Sequence, residues 1–353
     1  MSAKNLQSKS SKSALVAMSG GVDSTVAAVL AIRDGFACDG ATMLLFDGGE
    51  STVETARFVA DGLGISFHVF DFSECFSEYV IDMFISEYYA GRTPNPCVVC
   101  NRFLKFGRLL DKARDLGKDY IVTGHYVQVE CDANERYLLK KGVDLSKDQS
   151  YALYTLSQEQ LSQARFPLGG LTKAQVRDIA QETDLVNARK SESQDICFIP
   201  DGDYVGFIVK HTGKPLHKGR FVDVNGNDLG ECKGVAAYTI GQRRGLGLAM
   251  PHPPYVLELH PADNTVVIGK KEMLYSKSLT AKNINLIAVD TLDTQIRAQV
   301  KIRYSDPGHT AAVRQTDDDT LYIEFEEPQR AITKGQSAVI YDGSIVVGGG
   351  VIA

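Results

Sequence analysis

Residues 15–31 read LVAMSGGVDSTVAAVLA: a short apolar run, a Ser-Gly-Gly-Val-Asp-Ser turn, and a helical apolar pattern that resumes at once. A buried strand that turns on glycines straight into a helix points its free backbone N–H groups, with the positive end of the helix dipole, at one spot. Such a spot is an anion site. Gly20 and Gly21 permit close backbone approach, and Ser19 and Ser24 add hydroxyl donors suited to phosphate oxygens. The stretch lacks the lysine of a Walker A loop and is not G-x-G-x-x-G, which excludes a P-loop NTPase and a Rossmann dinucleotide site. A glycine turn that only packs strand against helix is the alternative.

The pattern from residue 13 to about 126 repeats this unit. ALVAMS, ATMLLF, FHVFDF and YIVTGHY read as strands, and 22–34, 51–63, 74–89 and 101–117 read as helices by their apolar spacing. Strands alternating with helices predict a doubly wound parallel sheet, with ligands at the carboxyl ends of its strands. LSQEQLSQARF and TKAQVRDIAQET continue as helical segments between 150 and about 205. After about residue 206 the texture changes to hairpin grammar, with alternating apolar and polar residues around Asn-Gly, Asp-Asn and Asp-Gly turns. The expected division is a disordered tail over 1–13, an α/β domain with helical linker over 14–205, a small β domain over 206–275 and a β-barrel over 276–353.

With 353 residues, the chain can bury two or three cores. It contains no apolar window of about 18 residues, and its first residues hold no apolar stretch for a signal peptide, so a cytoplasmic protein without a membrane partner is expected. Seven cysteines are odd in number and too sparse for a secreted disulfide framework. The formal charge of −6 argues against a uniformly phosphate-binding surface. It leaves room for a local basic face, and Arg102/Lys105/Arg108, Lys140/Lys141, Arg243/Arg244, Lys270/Lys271 and Lys301/Arg303 cluster near aromatics.

The SGGVDS loop resembles that of the N-type ATP pyrophosphatases, which adenylate a substrate and release pyrophosphate. Three further stretches, GRTPNPCVVCNRFLKFG (91–107), TGHY (123–126) with KDQSYALY (147–154), and SESQDICFI (191–199), narrow the resemblance to the tRNA-specific 2-thiouridylases. It runs from about residue 14 to the C-terminal GQSAVIYDGSIVVGGGVI. That resemblance implies ATP-dependent replacement of the C2 oxygen of the wobble uridine of tRNA by sulfur. It implies that Ala17, Met18, Ser19, Gly20, Gly21, Val22, Asp23 and Ser24, with Met43 and Gly124, hold ATP, Asp23 lying near the pyrophosphate Mg2+. By the same resemblance Asn95, Pro96 and Cys97 meet the target base, and His125, Lys147, Asp148, Gln149, Arg303, Tyr304 and Gln336 meet the tRNA.

The chemistry explains the residue types. A uridine oxygen leaves poorly until ATP adenylates it, and the nucleophile that displaces AMP must be a sulfur anion. The resemblance implies a persulfide on Cys197 and attack by Cys100, closing a transient disulfide. Cys100 is expected at the start of a helix, where the dipole would lower its pKa. Cys197, in the apolar run ICFI, also reads as a plain core residue.

Two departures from the family pattern carry consequences. The familiar Asn-Pro-Asp-x-x-Cys is here Asn95-Pro96-Cys97-Val98-Val99-Cys100, so the aspartate role has no bearer. Cys97, Cys100 and Cys197 then make three thiols, and some RNA thiolases hold a [4Fe–4S] cluster in that way. The stretch LLFDGGESTVETAR is also shorter than the acidic insertion of bacterial members, which leaves the sulfur donor open among a cysteine desulfurase, a relay protein and free sulfide. The rival readings are a pyrophosphatase-loop ligase acting on a small molecule, and a non-catalytic RNA-binding sulfur carrier.

Overall fold

The computed structural model describes residues 12–46, 49–183 and 196–353. The segment expected to form a tail lies, up to residue 11, outside the described residues.

The first module alternates β1 (Ser13–Ala17), α1 (Val22–Arg33), β2 (Ala37–Leu44), α2 (Glu50–Leu63) and β3 (Phe67–Asp71). A helical run follows as α3 (Ser73–Phe76), a π-helical turn over Ser77–Asp82 and α4 (Met83–Tyr89). A second run comprises α5 (Pro96–Cys100), a π-helical stretch over Asn101–Arg108 and α6 (Leu109–Asp115), before β4 (Tyr120–Val122). The sheet is parallel with order β3-β2-β1-β4 and a short edge strand, β7 (Ala164–Arg165). Its order reverses between β1 and β4, so the loops after these two strands bound the crevice where ligands of such sheets bind. Strands β1 and β4 are apolar and buried because helices cover both faces. Leu15 and Ile121 face one core, which includes Phe84, Leu104 and Phe106, and Val16 and Val122 face another, which includes Val26, Ala27 and Val176.

Between β4 and α7 (Gln158–Gln163) lies a hairpin that the sequence pattern did not single out, β5 (Val127–Cys131) and β6 (Tyr137–Lys141). Helix α8 (Lys173–Thr183) packs along α1, and α9 (Tyr204–Thr212) leads to the next module. That module is a four-stranded sheet of order β10-β11-β8-β9, built from β8 (Gly219–Asp223), β9 (Asp228–Cys232), β10 (Tyr255–His260) and β11 (Thr265–Gly269).

The last strands are β12 (Tyr275–Leu286), β13 (Ile296–Lys301), β14 (His309–Asp317), β15 (Thr320–Arg330), β16 (Ser337–Asp342) and β17 (Ile345–Ile352). They close into a six-stranded barrel because β12 pairs with both β15 and β17. Closure removes the free sheet edges. The β5–β6 hairpin joins this sheet at Ile345 and Lys140, so the first and last modules share hydrogen-bonded structure. Among the described residues no helix is long and apolar enough to cross a membrane.

Candidate functional site

The glycine loop runs from the end of β1 into α1 and is fixed from several sides. Met18 N–H donates to Ala41 O at 2.8 Å, and Thr42 Oγ1 donates to Met18 O at 2.6 Å. Ser24 Oγ donates to Gly21 O at 3.0 Å and accepts from Ser19 N–H at 3.1 Å. Gly20 has φ +67°, and a Cβ there would meet the Thr55 side chain at 2.6 Å, so the turn requires glycine. No side chain caps α1 at Gly21, which leaves its first-turn N–H groups for a ligand.

The loop after β4 presses against this turn. A Cβ on Gly124 would lie 2.8 Å from the Asp23 carbonyl carbon. Together the two loops line a cavity of about 210 Å³ that includes Ala17, Met18, Ser19, Asp23, Ser24, Met43, Lys105, Gly124, His125 and Gln149. A more open cavity of about 410 Å³ lies along Arg243–Pro254 and shares no residue with it; its mixed glycine and proline lining brings together none of the loop's phosphate donors.

Asp23 is held by partners that no local pattern announces. Its Oδ1 accepts from Lys173 Nζ at 2.7 Å and from Tyr126 OH at 2.8 Å. Lys173 is buried at the first residue of α8, while Asp23 keeps about a third of its side-chain surface (33%) open. A lysine at the head of a helical segment was the available clue, but nothing local ties it to the loop. His125 is buried, with Nδ1 2.8 Å from Thr123 Oγ1 and its ring against Phe106 and Phe166. Burial, aided by the nearby Lys105 charge, holds its pKa well below the ordinary value, so the ring is neutral.

The cysteine loop is built on helix-capping chemistry. Asn95 Oδ1 accepts from Cys97 N–H at 3.1 Å and Pro96 occupies the first turn, starting α5. Cys97 and Cys197 are exposed and Cys100 is half-buried; all seven cysteines are free. Cys100 lies at the end of α5 inside a continuous helical run, and burial pushes its thiol up to about 11. The expectation of a dipole-lowered pKa is therefore overturned, because desolvation of the thiolate outweighs the dipole there. Protein atoms around Cys97 and Cys197 also push those thiols up, against the opposing charge of Lys105. The three thiols are within electrostatic reach of one another, and Lys105 is common to all. Among the described residues, no group of three His, Cys, Asp or Glu side chains is placed to hold a metal ion. The Ser191–Asp195 part of the Cys197 motif lies outside the described residues.

The other expected contact residues divide into exposed and inward-turned. Arg303 and Tyr304 are exposed, and the Tyr304 ring meets Tyr151 edge-on at 6.1 Å. Lys147 is half-buried. Asp148 is buried and spends its oxygens on Gly142 N–H, Ser150 N–H and Ser150 Oγ, which shapes the loop rather than a surface. Gln149 Oε1 accepts from Tyr126 N–H at 3.0 Å. Gln336 Nε2 donates to Thr93 O at 2.8 Å, and Thr93 N–H donates to Lys334 O at 2.8 Å. The turn before β16 thus clamps the strap that carries Asn95, Pro96 and Cys97. Arg102, over the exposed Phe103 ring that stacks on Tyr79, forms a cationic aromatic face on the same helical run.

Comparison with known proteins places these features in a family. Residues 12–201 match the tRNA methyl transferase HUP domain, 206–270 its PRC-barrel domain and 276–352 the aminomethyltransferase beta-barrel domain. A "tRNA-specific 2-thiouridylase MnmA" of Clostridioides difficile (strain 630) is 48% identical across 97% of this chain and 98% of its own length. A relative of the same name from Acetivibrio thermocellus is 47% identical across 97% and 99%. A solved 4-thiouridine synthetase–RNA complex with bound ATP is similar at 16% identity and a TM-score of 0.35, covering 54% of this chain and 46% of that one, too distant to inform the site. Near-full-length identity to these relatives, over a parallel sheet followed by two β modules, means that the chain belongs to the tRNA-specific 2-thiouridylase family.

Proposed function

We propose that this enzyme uses ATP to replace the C2 oxygen of the wobble uridine of tRNA by sulfur. The observation that carries the reading is the meeting of two chemistries at one cavity: the uncapped glycine loop, and Lys105, whose charge reaches all three thiols. A small-molecule ligase would have no use for the second.

In this reading the loop amides and Ser19 and Ser24 cradle the triphosphate, and the open part of Asp23 would hold Mg2+. When bound, Mg2+ would supply charge neutralisation for the pyrophosphate. Lys173 and Tyr126 orient the Asp23 carboxylate. The uridine O2 attacks the α-phosphorus, pyrophosphate leaves, and C2 now bears AMP as its leaving group. Neutral His125, buried between Phe106 and Phe166, shapes the wall beside it.

For sulfur, a relay fits the free thiols. A Cys197 persulfide is attacked at its inner sulfur by the Cys100 thiolate, forming a Cys100–Cys197 disulfide and releasing hydrosulfide. The hydrosulfide displaces AMP. Two thiols have then become one disulfide, which a thiol reductant returns before the next turnover. A [4Fe–4S] cluster on Cys97, Cys100 and Cys197 finds no ready three-ligand set among the described residues. Arg303, Tyr304, Lys147 and the Arg102–Phe103 face supply charge and stacking surface for the RNA.

The test is mass spectrometry of nucleosides from unmodified tRNA incubated anaerobically with the protein, ATP, Mg2+ and either sulfide or a persulfide donor. 2-Thiouridine at the wobble position with stoichiometric AMP and pyrophosphate is expected. Pyrophosphate release without any thiolated nucleoside from either donor would overturn the reading.

A further inference from the structure

The displacement of AMP brings two anions to one carbon, an incoming hydrosulfide and an outgoing phosphate ester. Like charges that converge in a partly desolvated site repel strongly unless a cation lies between them. Lys105 is the cation among the residues that line the loop cavity. It is half-buried within the π-helical stretch Asn101–Arg108, a helix variant that re-aims side chains and is frequent at functional sites. It lines the cavity with Ser19, Asp23, Ser24 and His125. Among the described residues no hydrogen bond or ion pair engages its ammonium. An unengaged cation that is half-buried beside an anion-binding loop awaits an anionic ligand.

Resting on the thiolation reading, we propose that Lys105 is a catalytic residue of the second half-reaction, its ammonium spanning the AMP phosphate and the attacking sulfur. Its electrostatic reach to Cys97, Cys100 and Cys197 supports the sulfur side of this placement. The step balances without a redox change. The hydrosulfide lone pair forms the C2–S bond, and the C2–O bond breaks with its pair passing to the oxygen that leaves in AMP. The sulfur-borne proton ends on N3 of the 2-thiouridine.

The test uses the full chain with unmodified tRNA, ATP, Mg2+ and inorganic sulfide in single-turnover rapid quench. Pyrophosphate and 2-thiouridine are followed separately. For Lys105→Met, 2-thiouridine formation is expected to slow about 100-fold or more, with pyrophosphate release slowed less than about tenfold and adenylated tRNA accumulating. Lys105→Arg is expected to recover most of the sulfur-transfer rate, which a purely structural role would not require of charge. Equal losses in both half-reactions, unchanged thiolation, or an arginine variant as slow as the methionine one would each overturn the proposal while leaving the thiolation reading intact. A wild-type protein that thiolates nothing from sulfide or from a persulfide donor overturns both.

Discussion

Lys173 Nζ lies 2.7 Å from Asp23 Oδ1, across 150 residues of sequence, and the phenol of Tyr126 donates to the same oxygen at 2.8 Å. The loop has no Walker lysine of its own, so a helix from elsewhere in the domain brings a cation to it. Replacing Lys173 by Met is expected to lower kcat/KM for tRNA-dependent pyrophosphate release by about 100-fold, as for loss of one preorganised charge. Asp23→Ala is expected to remove that activity. A Lys173→Met rate within a factor of two of wild type would show that the pair only braces the fold.

Cys100→Ser is expected to release pyrophosphate at the wild-type rate and to form no 2-thiouridine from a persulfide donor. Pyrophosphate and nucleoside assays on the same sample separate the two. Retention of full thiolation would transfer the nucleophile's role to another thiol.

The Cys100 thiol, pushed up to about 11 by burial, is neutral at physiological pH in the free protein. Because the raised pKa favours the protonated form, thiolate appears only as pH climbs toward that value. Iodoacetamide labelling at Cys100, read by peptide mass spectrometry, is therefore expected to stay slow at pH 8 and to rise about tenfold per unit over the range just above it. A labelling rate already at plateau at pH 8 would contradict this.

Gly124 abuts the Asp23 backbone at 2.8 Å from any added Cβ, so Gly124→Ala must push the two loops apart. The expected cost is about 1–3 kcal/mol of stability, with pyrophosphate release falling more than stability alone explains. Denaturant melts beside the assay distinguish the contributions. No change in either would mean that the loops yield freely.

Gln336 reaches Thr93 O at 2.8 Å from the far end of the chain. Gln336→Ala is expected to cost only about 0.5–1.5 kcal/mol of stability. It should reduce 2-thiouridine formation more than pyrophosphate release, since the strap carrying Cys97 and Cys100 loosens while the glycine loop does not. Parallel losses would assign Gln336 to general stability.

Local grammar made much of this protein legible. Residues 15–31 announce strand, turn and helix because glycine dihedrals, a buried apolar run and a helical period are decided within a few residues. The alternation up to residue 126 and the turn-marked hairpins after 206 announce the parallel sheet and the β modules for the same reason. The hairpin at 127–141 escaped that reading, and its place was set by pairing with β17 of the barrel. Tertiary structure alone decided that Lys173 meets Asp23, that Lys105 lines the loop cavity while its charge is felt by three thiols, that Asp148 turns inward, and that burial raises Cys100 instead of a dipole lowering it. Periodicity and turn chemistry act over a few residues, whereas a charge's partner and a thiol's solvation depend on which distant helices pack beside it.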